Sequence, residues 1–170
     1  MKLEYTHLLP ADFAADSRVW IYQSNRLFGM SEAIQIEELL EQFVNTWNSH
    51  GIPVKGYANI FFGQFLIMMA DESATGVSGC STDSSVRLIK QIESTFNVSL
   101  FDRQLLAFVI KDKIELLPLS QLKYAAENGF VNSDTLYFNN TVLSKADLEK
   151  NWIIAVKNSW LANKIPQLTR

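Results

Sequence analysis

The sequence predicts a mixed α+β fold. Three observations carry this expectation. Two stretches place apolar residues at helical spacing, several short runs are β-prone, and their order along the chain is β-α-β-β-α-β. With 170 residues, 48% of them hydrophobic, the chain is long enough for a sizeable core. No linker, repeat or low-complexity segment marks a boundary, so one domain over residues 1–170 is expected, opening with an irregular arm at 1–17.

Arg18 to Gln23 is the first strand. Ser31 then reads as a helix cap with Glu32 near the positive end. Ala33, Ile36, Leu40, Phe43, Val44 and Trp47 form that helix's apolar face, and Gly51 and Pro53 end it. Val54 to Phe62 and Phe65 to Ala70 flank Gly63-Gln64 as a hairpin. A glycine-bearing loop, Ser73 to Gly79, leads to a second helix starting near Ser81 or Thr82, with Val86, Ile89, Ile92 and Phe96 inward. Leu105 to Ile110 is a further strand, turned by Asp112-Lys113 into Ile114 to Leu117. A short helix then runs to Gly129.

This order is the ferredoxin-like split βαβ plan, with two helices on one face of an antiparallel sheet. A C-terminal strand and helices extend it. Phe65 to Ala70 is apolar on both alternations, so both its sides need cover. The tail, where Ser144 to Asp147 forms a capping box, can supply it. A second copy of the chain, in a homodimer, is the other way.

Composition narrows the function classes. A net charge of −3 argues against nucleic acid as partner. No apolar run is long enough for a membrane span, and the start lacks the pattern of a signal peptide. A single cysteine cannot form an intramolecular disulfide, which fits a reducing cytoplasm. Two histidines and one cysteine, far apart, give no zinc spacing, and no cofactor is expected.

In the split βαβ plan the first helix and third strand end, and the second helix starts, at one end of the sheet. This gathers His50, Asp71, Glu72, Gly79, Cys80, Ser81, Thr82 and Asp83, with Arg18 at the start of the first strand and Lys111 at the close of the fourth. Cys80 is the sharpest candidate, because a thiol at a helix N-terminus meets unpaired N–H groups that favour its thiolate. His50 would be its base or ion-pair partner, with Asp71 or Glu72 orienting it. Against this stand the burial that free cysteine usually finds, the helix C-terminus that accounts for His50 without chemistry, and the negative charge of Asp83. The stretch Ala74 to Ser81 also resembles a phosphate loop, but Cys80 stands where the lysine belongs.

The runs Trp47 to Gly51, Gly63 to Glu72, Ser78 to Ser84 and Phe101 to Arg103 resemble a family of small uncharacterised bacterial proteins often labelled "ABC transporter ATPase". The resemblance extends from Arg18 to Trp160 and brings no established activity. Such an ATPase needs a P-loop lysine, a Walker B acid and a signature motif, none of which is recognisable here. The expected role is therefore binding or self-assembly: an unknown small ligand at the His50/Cys80 end, contacted by Arg18, Glu72, Gly79, Ser81, Thr82 and Asp83. The alternatives are a thiol-dependent enzyme using Cys80 with His50 and Asp71, and nucleotide or phosphate binding at 74–81.

Overall fold

The computed structural model describes residues 1–165. It is mixed α+β, with antiparallel sheets throughout. Its residues group into two compact units. One holds 4–101 with 142–149; the other holds 1–3, 102–141 and the chain from Lys150.

The first unit carries β1 (Arg18–Gln23), α1 (Met30–Thr46), the short β2 (Asn48–Ser49) and β3 (Ile52–Pro53), β4 (Lys55–Phe61), β5 (Phe65–Asp71) and α2 (Gly79–Phe96). Its main sheet has the order β1-β5-β4. Leu66 and Met68 of β5 pack under Ile36 and Leu40 of α1 and under Ile89 and Ile92 of α2. All six side chains are at most 1% exposed, and each such burial is worth about 1.5–3 kcal/mol.

Local chemistry sets the element ends. Gly29, not Ser31, caps α1. The Glu32 carboxylate reaches back to the Gly29 N–H at 2.7 Å while Arg26 grips it from two nitrogens at 2.8 Å. Arg26 and this N–H hold the Glu32 carboxyl down at about 2. Ser31 thus lies within the first turn. The β4–β5 hairpin turns on Phe62 and Gly63, both at positive φ, one residue before the expected pair, and Gln64 N–H donates to the Phe61 carbonyl.

Every residue of β5 is buried in the single chain, so its two apolar faces do not call for a second copy. The arm lies over the side facing away from the helices. Tyr57, opposite Met69, donates from its hydroxyl to the Leu8 carbonyl at 2.8 Å, and Tyr5 and Leu9 are buried. The returning segment 142–149 adds to this cover. The Tyr5 hydroxyl donates to the Leu148 carbonyl at 2.6 Å, and burial, with the negative Glu149 nearby, pushes Tyr5 up to about 12. Ser144 caps α4 (Lys145–Asn151) as expected, accepting from the Asp147 N–H.

The split βαβ plan places Leu105–Ile110 as a fourth strand beside β1. The structure does not. Leu143 and Ser144 occupy that edge: Val19 N–H donates to Leu143, and Arg18 bridges Ser144. Leu105–Ile110 is β6, the second strand of another sheet in the second unit. There it lies between β7 (Lys113–Pro118) and β8 (Leu136–Phe138), with β9 (Ile153–Ala155) completing the order β7-β6-β8-β9. The turn into β7 is Lys111-Asp112, both at positive φ. With α3 (Leu122–Glu127), this sheet encloses Leu106, Phe108, Leu122, Tyr137 and Leu161. A cavity of about 520 Å³ in this unit is lined by Ile110, Leu116, Phe130 and Val131. No helix among the described residues is long and apolar enough to cross a membrane.

Candidate functional site

The site begins with how α2 starts. Ser78 is its N-cap, accepting from the Ser81 N–H at 3.3 Å, so the helix opens at Gly79, two residues before the expected Ser81. Cys80 therefore sits inside the first turn, and its side chain is exposed. The Ser78 N–H donates to the buried Ser49 hydroxyl at 3.2 Å, which fastens the helix start to the β2–β3 hairpin.

That hairpin relocates His50. The helix expected to run to Gly51 ends at Thr46, and His50 and Gly51 form a tight turn at φ 52° and 80°. His50 is thus an exposed hairpin tip, not a helix C-terminus. Trp47 holds the hairpin against the rest. Its indole N–H donates to the Ser81 carbonyl at 3.0 Å, and its ring meets Trp20 edge-on at 6.1 Å and Phe43 at 5.1 Å. Opposite it stands Gly56, where a methyl group would come within 2.6 Å of the indole.

Between α1, the hairpin and α2 this construction leaves a cleft of about 500 Å³. Cys80, Ser84, Arg87 and Gln91 line it from α2; Asn48 and His50 line it from the hairpin; Phe43, Trp47 and Leu88 give it an apolar surface. A second cleft of about 560 Å³ shares Phe43, Thr46, Leu88 and Gln91 and extends the surface to Leu39. The volume falls within the range of small-molecule sites. No hydrogen bond joins Cys80 to His50.

The remaining candidates lie outside this cleft, and all but Gly79 and Asp83 have a structural task. Asp71 is 4% exposed. It accepts from the Ala14 N–H at 3.2 Å, from the Ser73 N–H at 3.0 Å and from the Ser73 hydroxyl, and it pairs with Lys55 at 3.1 Å. The Ser73 bonds, then Ala14 and Lys55, hold its carboxyl well below the aspartate range. Asp71 therefore anchors the arm; it does not orient His50. Glu72 accepts from the Val77 N–H at 2.7 Å and pairs with Arg18 at 3.7 Å, closing the loop at its base. Arg18 lies over the Trp20 ring at 4.9 Å. The Ser81 and Thr82 hydroxyls both turn back to the Ser78 carbonyl. Gly79 and Asp83 are exposed and line no part of the cleft.

Within the phosphate-loop-like stretch 74–81, three N–H groups are already engaged by the protein itself, and Thr82 just beyond it is a fourth. The N–H groups of Val77, Ser78, Ser81 and Thr82 already donate to Glu72, Ser49, Ser78 and Ser78. At Val77 the partner is itself a carboxylate, that of Glu72. Among the described residues no group of three His, Cys, Asp or Glu side chains could hold a metal ion.

Comparison with known proteins finds no match. No family model, curated protein or solved structure is significantly similar to the chain. Arg87, Ser84, Gln91 and Trp47 belong to the cleft and were not among the expected residues. Cys80, Ser84, Arg87 and Gln91 fall at i, i+4, i+7 and i+11, one polar stripe of a helix, and that spacing is visible in the sequence.

Proposed function

We propose that this protein is a small-molecule binding module whose site is the cleft between α1, the β2–β3 hairpin and α2. One observation carries the reading: Cys80 and His50, from distant parts of the chain, line the same cleft over an apolar surface of Phe43, Trp47 and Leu88. Apolar walls supply affinity and a few polar groups orient the guest. Self-assembly has less support, because β5 is buried within one chain. A thiol-dependent enzyme needs His50 within hydrogen-bond reach of Cys80, and no such bond is made. A reducing cytoplasm would keep this exposed thiol free.

The test is amide-resolved NMR of the full chain titrated with a library of small aromatic and aliphatic fragments. Bound fragments are expected to shift resonances of Thr46 to His50 and Cys80 to Gln91 together. Fragments that shift only the second unit, around Ile110, Leu116 and Phe130, would overturn the assignment.

A further inference from the structure

We propose that the guest of this cleft carries an anionic group, held by Arg87, on an apolar or aromatic body that lies over the partly exposed Phe43 and Leu39. This rests on the cleft being the binding site and adds the chemical class of what enters it.

The argument is one of charge placement. Acidic residues outnumber Lys and Arg in the chain, 18 to 15, yet among the described residues no Asp or Glu lines either cleft. The ionisable side chains that do line them are His50, Arg87 and the Cys80 thiol. The guanidinium of Arg87 is exposed and enters no ion pair among the described residues. The other polar lining groups, Thr46, Asn48, Ser84 and Gln91, are neutral and can serve the remaining hydrogen bonds of a carboxylate or phosphate. A guanidinium fork suits either anion. From Arg87 the apolar surface continues past Leu88 and Phe43 to Leu39 in the adjoining cleft, which gives the uncharged body of the guest its own wall. Asp83, an exposed acid three residues after Cys80, lines neither cleft.

Cys80 makes the inference testable with two aryl disulfides, the anionic dithiobis-nitrobenzoate and the neutral dithiodipyridine. In each reaction the Cys80 sulfur attacks one disulfide sulfur, the S–S bond breaks, and a mixed disulfide forms. One aryl thiolate leaves with the electron pair, and the thiol proton goes to buffer. The rate ratio, anionic over neutral, is measured for the native chain and for free mercaptoethanol. We expect the protein's ratio to exceed that of mercaptoethanol by about three- to tenfold at low salt, and to fall toward it at high salt. Arg87→Gln should bring the ratio to within about twofold of mercaptoethanol. Arg87→Lys should keep part of the preference, and Lys90→Gln, whose side chain lies outside the cleft, should keep all of it.

A native ratio equal to that of mercaptoethanol, with the neutral reagent reacting readily, would overturn the anionic guest and leave the cleft standing. A ratio untouched by Arg87→Gln, or lost equally in Lys90→Gln, would overturn the role of Arg87. A neutral reagent that modifies Cys80 only after unfolding would overturn the cleft itself.

Discussion

Trp47→Ala is expected to destabilise the protein by about 3–5 kcal/mol, the usual cost of emptying a buried indole site. Trp47 is 3% exposed, and no neighbour can collapse into its place. Gly56 offers no side chain, Trp20 is held over by Arg18, and Phe43 belongs to α1. The substitution also removes the indole N–H donor to the Ser81 carbonyl, and with it the bond from the hairpin side to the first turn of α2. Trp47→Phe should keep most of the packing and lose about 1 kcal/mol for that hydrogen bond. Urea unfolding of both variants, with the slope m unchanged, measures this. A loss below about 1 kcal/mol in the alanine variant would mean that Trp47 does not hold the hairpin in place.

Asp71→Asn is expected to weaken the protein at neutral pH and to flatten the acid limb of its stability profile. Asp71 lies directly opposite Lys55 in the β4–β5 register, and Lys55 in turn pairs with Asp12 at 3.2 Å and lies over the Phe13 ring at 4.8 Å. The carboxylate is thus the node that ties residues 12–14 to the sheet. Its folded value is lowered from the ordinary 3.8, so its contribution is fully present above that value and is lost as pH falls below it. The asparagine variant has no carboxylate to protonate, so this part of the acid sensitivity should vanish while neutral stability drops. The arm should also be cleaved several-fold faster by protease between Tyr5 and Asp16. Equal acid slopes in both proteins, with unchanged cleavage, would contradict the anchoring role.

Much of the first unit is legible in the sequence, because its elements are specified locally. The apolar faces of α1 and α2 follow helical spacing, and Gly63 marks the β4–β5 turn. Once that turn is placed, the register follows, and Lys55 falls opposite Asp71 without further information. The one-residue shift of the turn was not legible, because a phenylalanine at positive φ is rare and Phe62 gives no local sign of it. Nor was the departure of β6. An apolar strand declares that it will be buried, not which edge it joins. The choice depends on Leu143 and Ser144, which reach β1 from more than a hundred residues away.

The site shows the same division. Cys80 and His50 are brought to one cleft, as the order of elements implied, although His50 arrives on a hairpin tip instead of a helix end. Asp71, Glu72 and Arg18 are near in sequence to the right elements, yet their side chains are engaged elsewhere. Sequence order places a backbone; hydrogen-bond partners decide where a carboxylate points. Arg87 lies beyond the loop and first turn of α2 where the cysteine and glycines stand out in the sequence, on a polar stripe that runs three turns along the helix.

The most direct measurement of the central claim is a cross-link between positions 50 and 80. With His50→Cys, treatment of the dilute native chain with a short bis-maleimide should bridge the new thiol to Cys80 within one molecule, consuming both thiols and adding a single linker mass. Two separate adducts, or bridging only between molecules, would show that positions 50 and 80 do not share a cleft.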